Sequence, residues 1–102
     1  MLRRLEGDNG LAQIVFSAFF EDMPGQIEAL KYLVKSGDAS GAARQAHSIR
    51  GAAANAVGER LRALASEMEK AADAGDLLFI AIRMDELELQ FRCLKDAIVA
   101  SE

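Results

Sequence analysis

The chain has 102 residues, of which 51% are hydrophobic, and a formal net charge of −4, a combination that favours one domain with a single modest core. No apolar run approaches the length of a membrane-spanning helix, and no apolar stretch follows the N-terminal basic residues as in a signal peptide. Lysine and arginine do not cluster, so we expect neither nucleic acid nor a membrane surface as a partner of this domain.

The hydrophobic pattern predicts helices throughout and no strand. A first helix is predicted over about residues 9–22, and a second begins near Pro24, because proline is tolerated in a first turn. The second helix should end at Gly37. Asp38 should cap the third helix, which is predicted to end near Gly58.

The remaining chain repeats this construction, since Gly75-Asp76 separates a fourth helix from a fifth. Apolar residues spaced three and four apart favour packing at crossing angles of roughly 20°. Short loops favour antiparallel neighbours. We therefore predict an all-α single domain over residues 1–102, an antiparallel up-down-up-down four-helix bundle with an additional N-terminal helix.

The third predicted helix places its histidine away from its apolar stripe. The stripe consists of Ala42, Ala46, Ile49, Ala53 and Val57. His47, the only histidine of the chain, lies roughly 120° from it. Its own side of the helix holds small residues and two arginines: Ser40, Ala43, Arg44, Arg50, Gly51, Ala54 and Gly58.

This arrangement indicates a histidine that carries a phosphoryl group and is approached by another protein. A neutral imidazole is a good nucleophile near neutral pH. Arg50 can neutralise an anion attached to His47 through its planar donors. Within a helix, glycine lowers stability by about 1 kcal/mol relative to alanine. The absence of a side chain at Gly51, beside the imidazole, therefore indicates another function, such as the close approach of a partner.

The segment around the histidine reads Ala46-His47-Ser48-Ile49-Arg50-Gly51-Ala52-Ala53. It resembles the central motif of the histidine phosphotransfer (HPt) domains of bacterial multistep phosphorelays, Ala-His-x-hydrophobic-Lys-Gly-small-small. Residues 21–30, 36–38 and 59–65 also look like segments of this family, so the resemblance covers nearly the whole chain. The chain departs from the family in having Arg50 for the usual lysine, and in placing Gly58 eleven rather than ten residues after the histidine.

The resemblance implies that Nε2 of His47 accepts a phosphoryl group from an aspartate of a response-regulator receiver domain and passes it to another receiver aspartate. Arg50 would neutralise the phosphate charge, and Gly51 would admit the receiver. The receiver would supply Mg²⁺, so no cofactor of the chain's own is expected. The sequence has no nucleotide-binding loop, so the chain alone should not phosphorylate itself, and whether it counts as an enzyme stays open.

Two groups of residues are candidates for receiver docking. Beside the histidine these are Ala43, Arg44, Ala54 and Gly58. The resemblance places the N-terminal helix near the histidine, which adds Ala12, Phe16 and Phe20. Phe16 and Phe20 lie four residues apart, and they either extend the core or form an exposed apolar patch.

Further expectations concern the context of the domain. The single cysteine, Cys93, fits a reducing cytoplasm, and one histidine off the core stripe cannot form a metal site. We expect a monomer from a bacterial hybrid sensor histidine kinase, in the cytoplasmic part of that kinase, with a free-standing shuttle as the alternative. A different function also remains open: a helical interaction module that docks a partner through its Gly/Ala face, with His47 incidental.

Overall fold

A computed structural model of the chain describes the backbone of residues 6–55 and 58–100, and the side chains of residues 17–53 and 58–97. The predicted all-helical class is confirmed, because no strand occurs in these ranges. The described residues form four helices: α1 (Glu6–Lys35), α2 (Ala39–Asn55), α3 (Glu59–Asp73) and α4 (Leu77–Ala100).

The prediction of a separate N-terminal helix is wrong, because α1 continues without a break through Pro24. Proline removes one backbone donor and usually interrupts a helix interior. Pro24 is exposed, so its ring lies on the outer side of α1 and does not disturb the packing of the core. The buried stripe of α1 continues on both sides of the proline and holds the helix together. It consists of Phe19, Met23, Ile27 and Leu30.

The two predicted Gly-Asp boundaries are confirmed and share one construction. Gly37 and Gly75 have φ angles of 77° and 78°, in the left-handed region that favours glycine after a helix. Oδ1 of Asp38 and of Asp76 then accepts a hydrogen bond, of 2.8 and 3.1 Å, from the backbone N–H of the third residue of the following helix. Each pair therefore ends one helix and caps the next.

The core is formed by one face from each helix. α2 packs against α1 and α3, α3 packs against α2 and α4, and α4 packs against α3 and α1. α2 and α4 are therefore both flanked by α1 and α3. The buried residues that α2, α3 and α4 contribute are Ala42, Ala46, Ile49, Ala53, Leu61, Leu64, Ala65, Met68, Ala72, Ile80, Met84 and Leu87.

The outer face of α4 also carries large apolar side chains. Leu78, Ile82 and Leu89 are exposed, and so is Cys93. The apolar residues of α4 thus occupy two faces, and only one of them is buried. No helix in the described part of the chain has an apolar stretch long enough to cross a membrane.

Candidate functional site

His47 lies on the outer face of α2, where its side chain is 61% exposed. On the inner face, Ala46 and Ile49 are fully buried against the neighbouring helices. The core therefore fixes the backbone on both sides of His47 while the imidazole stays accessible. The predicted position of His47 away from the apolar stripe is confirmed.

Nδ1 of His47 has two polar neighbours. Oε2 of Glu69, on α3, lies 3.0 Å from Nδ1, and Nη2 of Arg50 lies 2.9 Å from the same nitrogen. A protonated Nδ1 donates to Glu69, whereas an unprotonated Nδ1 accepts from Arg50. The two contacts therefore belong to different protonation states of the ring. No atom in the described part of the chain forms a hydrogen bond with Nε2.

Arg50 and Glu69 also form an ion pair with each other. Nε of Arg50 lies 3.2 Å from Oε1 of Glu69, so each carboxylate oxygen faces a different partner. The side chains of Arg50 and Glu69 are 37% and 22% exposed. The pair holds the guanidinium on the Nδ1 side of the imidazole, and it balances the charge of the carboxylate beside His47.

Glu69 is the site residue that sequence reasoning missed. Its position could have been found from the pattern of the two helices. α2 and α3 pack side by side, and the buried Ala46 and Met68 lie at similar distances from the facing ends of the two helices, Asn55 and Glu59. His47 and Glu69 each follow one of these buried residues, so both come to the same edge of the helix pair.

The surface around Gly51 is open. A Cβ atom at this position would have no neighbouring atom within 4 Å, so nothing in the described structure requires glycine there. Arg44 is exposed, and its Nη1 donates a 3.0 Å hydrogen bond to the hydroxyl of Ser40. Ala43 is half-buried and packs against the core. Gly51 and Arg44 thus lie on an accessible face, to which Ala43 contributes only in part.

Gly58, a docking candidate from the sequence, does not lie on the exposed face that holds His47. Gly58 is buried, and a Cβ atom there would lie 2.8 Å from Cδ2 of Leu94 on α4. Its N–H donates a 3.0 Å hydrogen bond to the carbonyl of Ala53. The absence of a side chain at Gly58 therefore allows the start of α3 to pack against Leu94, and Gly58 does not belong to the open surface beside His47.

Of the two alternatives for Phe20, the structure shows a contribution to the core. The Phe20 ring is half-buried, and its centroid lies 5.5 Å from that of Phe19 and 6.2 Å from that of Phe91 in edge-to-face geometry. Phe20 therefore packs against the core, and part of its ring stays accessible. The side chains of three other docking candidates lie outside the described residues: Ala12, Phe16 and Ala54.

Among the side chains that the structure describes, no group of three or more candidate ligands could hold a metal ion. What the site offers is an accessible imidazole, a carboxylate and a guanidinium, arranged around one ring nitrogen. This is a set of groups for nucleophilic attack on an anion and for balancing the resulting charges.

A family model described as Hpt domain matches residues 15–98 of the chain. The match includes all of α2 and α3, and with them His47, Arg50, Gly51 and Glu69. No curated protein and no solved structure matches the chain. Hpt domains are phosphocarriers of phosphorelays and interact with receiver domains. Since the match spans most of its length, the chain belongs to the Hpt domain family.

Proposed function

We propose that His47 accepts a phosphoryl group on Nε2 from the aspartyl phosphate of a receiver domain and passes it to an aspartate of a second receiver. The observation that carries this proposal is an exposed imidazole with a carboxylate 3.0 Å from Nδ1. In the tautomer whose Nδ1–H donates to Glu69, the lone pair resides on Nε2 and can act as the nucleophile.

The transfer step needs no further acid or base from this chain. The Nε2 lone pair forms the N–P bond while the P–O bond to the receiver aspartate breaks, and the released carboxylate keeps the electron pair. The imidazole ring gains a positive charge and retains its Nδ1–H. Glu69 stabilises this charge through a charge-assisted hydrogen bond. Transfer to the second receiver reverses these steps on a different carboxylate.

Arg50 completes the charge balance. Once Nδ1 carries the proton, Nη2 of Arg50 can no longer donate to it, and the guanidinium becomes available to an anion on Nε2. Phosphoryl transfer depends mainly on positioning and charge neutralisation. We take the Mg²⁺ to be bound by the receiver, so that this chain contributes the nucleophile, one cation and the carboxylate that orients the ring.

The receiver is proposed to dock on the outer face of α2 around His47. Gly51 lies one turn beyond the histidine, and apart from the backbone of its own helix no described atom lies within 4 Å of the position its Cβ would occupy. This gap lets the loops of a receiver reach the imidazole. Arg44, exposed one turn before the histidine, is placed to meet acidic groups at the edge of the same surface.

The proposal includes helices that run alternately up and down, which brings Glu69 of α3 level with His47. Contacts between α3 and α4 support this order. At the start of α3, Gly58 meets Leu94, whereas further along α3, Glu67 pairs with Arg83 at 3.3 Å. Residues later in α3 thus contact residues earlier in α4, as expected for two antiparallel helices.

Phosphate transfer with purified proteins tests the proposal. A receiver domain phosphorylated with radiolabelled acetyl phosphate is mixed with the chain, with His47→Gln and with Ser48→Ala, a change at the neighbouring exposed position. We expect acid-labile label on the wild type and on Ser48→Ala, none on His47→Gln, and passage of the label to a second, unphosphorylated receiver.

His47→Gln should keep its helical circular dichroism and its melting temperature, because the replaced side chain is exposed. Equal labelling of His47→Gln and wild type would contradict the proposal. Stable binding of receivers to the wild type with no transferred label would favour the interaction module with an incidental histidine.

A further inference from the structure

The two side chains that contact Nδ1 of His47 favour opposite tautomers of the neutral ring. Glu69, at 3.0 Å, accepts only from a protonated Nδ1. Arg50, at 2.9 Å, donates only to an unprotonated Nδ1. When Nδ1 accepts from Arg50, the ring proton resides on Nε2, and that nitrogen has no lone pair with which to attack phosphorus.

We infer that Arg50 restrains His47 in the tautomer that cannot react, and that an incoming phosphoryl anion releases this restraint by attracting the guanidinium. The inference rests on the proposed function, because it concerns how Nε2 becomes a nucleophile. It gives Arg50 two successive partners, Nδ1 in the free domain and the phosphoryl group during transfer.

The contacts of Arg50 explain how one side chain holds this position. Nε of Arg50 is fixed by Oε1 of Glu69 at 3.2 Å, while Nη2 reaches His47. A guanidinium can serve both partners at once because its donors are separate nitrogens in a rigid plane. An ammonium has a single nitrogen and cannot reproduce this geometry. The arrangement in which one nitrogen binds Glu69 while another reaches His47 is therefore specific to arginine at position 50.

The release conserves protons. A phosphoryl dianion attracts the guanidinium more strongly than a neutral ring nitrogen does, because paired charges form the stronger hydrogen bonds. Nε2 loses its proton to solvent, and Nδ1 gains one from solvent, keeps it, and forms a hydrogen bond with Glu69 through it. The net charge of the ring is unchanged, but the lone pair now lies on Nε2. The incoming phosphoryl group thereby raises the fraction of His47 rings in the tautomer whose Nε2 can attack phosphorus.

The side chain of Arg50 is accessible enough for this exchange, since it is 37% exposed. His47 at 61% exposed also allows solvent to carry the two protons. The free domain therefore holds a mixture of tautomers, whose ratio reflects the competition between Arg50 and Glu69 for Nδ1.

Nitrogen NMR of the imidazole tests the inference on the unphosphorylated full chain, at a pH where the ring is neutral. Nδ1 and Nε2 shifts give the tautomer ratio for the wild type, Arg50→Ala, Glu69→Ala and Arg44→Ala. We expect Arg50→Ala to raise the Nδ1–H fraction relative to Nε2–H by about threefold, as for an exposed charge-assisted hydrogen bond. Glu69→Ala should shift the ratio in the opposite direction.

Arg44→Ala is the matched control, because it removes an arginine from the same helix that bonds to Ser40 and not to the imidazole. It should leave the tautomer ratio unchanged. A ratio in Arg50→Ala equal to that of the wild type would overturn the inference. So would an equal shift in Arg44→Ala, because the effect would then reflect the general loss of positive charge.

The outcome is separable from that of the labelling experiment. A chain that accepts label on His47, but whose tautomer ratio ignores Arg50, contradicts this inference and supports the proposed function. A chain whose tautomer ratio responds to Arg50 as expected, but which accepts no label, supports the restraint and contradicts the proposed function.

Discussion

The inner and outer faces of α2 are both built from small residues, but these residues act in opposite ways. On the inner face, Ala42, Ala46 and Ala53 are fully buried and bring neighbouring helices close together. On the outer face, a Cβ atom added at Gly51 would have no neighbour within 4 Å. The inner alanines close the bundle, and the outer glycine leaves a gap beside His47.

The comparison shows that small residues do not identify a docking surface by themselves. Gly58 makes the same point, because it follows His47 on the same nominal side of the helix yet packs under Leu94. A small residue supports docking only where its surroundings are open. On this basis the proposed docking surface, within the side chains that the structure describes, consists of the exposed residues around His47 and Gly51.

The largest difference between the two faces should appear when the same charge is placed on each. Ile49→Asp buries an unpaired carboxylate at a fully buried position and should destabilise the fold by about 4 kcal/mol or more. Ser48→Asp adds the same group at the neighbouring exposed position, with an expected effect within about 0.5 kcal/mol. Thermal melts followed by circular dichroism measure both. Retained cooperative melting of Ile49→Asp at the wild-type temperature would contradict the inward assignment of this face.

A smaller effect should follow when the inner face is enlarged. Ala46→Leu adds methyl and methylene groups where α2 is fully buried, and should cost about 1–3 kcal/mol through overpacking. Ala63→Leu makes the same change at an exposed position of α3 and should stay within about 0.5 kcal/mol. Urea titration compares the two free energies of unfolding, and equal values would show that Ala46 is not at a close helix contact.

Filling the gap on the outer face should affect transfer and leave the fold intact. Gly51→Gln places a long side chain where a receiver is proposed to approach, and should slow phosphoryl acceptance by about tenfold, which corresponds to ~1.4 kcal/mol. Rapid-quench labelling from a phosphorylated receiver gives the rate. A wild-type rate in Gly51→Gln would remove the argument that this glycine serves docking.

The smallest expected effect has the opposite sign. Gly51→Ala should stabilise the domain by about 0.5–1 kcal/mol, because alanine is the better helix former and its Cβ meets no atom. The same urea titration measures this gain. Loss of stability in Gly51→Ala would mean that the outer face is packed at this position, and the contrast between the two faces would disappear.

Local signals predicted most of the fold. The Gly-Asp pairs at both loops and the apolar stripes of α2 and α3 depend on neighbouring residues, and the structure shows them as predicted. Pro24 misled the prediction, because proline usually marks a helix start. Whether a proline interrupts a helix depends on how well the buried residues on both sides of it pack against the other helices. This packing is a tertiary property that the local sequence does not show.

The same distinction separates the parts of the site. The accessible position of His47 follows from the periodicity of a single helix, and so does the placement of Arg50 one turn later. Glu69 comes from another helix, and its contact depends on the register between α2 and α3. Gly58 could not be assigned from α2 alone, because the atom it would strike belongs to α4.

The most direct measurement is the identity of the phosphorylated nitrogen. The chain is phosphorylated through a receiver and examined by phosphorus and nitrogen NMR, which distinguish phosphate on Nε2 from phosphate on Nδ1. With Glu69 and Arg50 around Nδ1, we predict phosphate on Nε2 of His47 and a proton on Nδ1. Phosphate on Nδ1, or on any residue other than His47, would contradict the account.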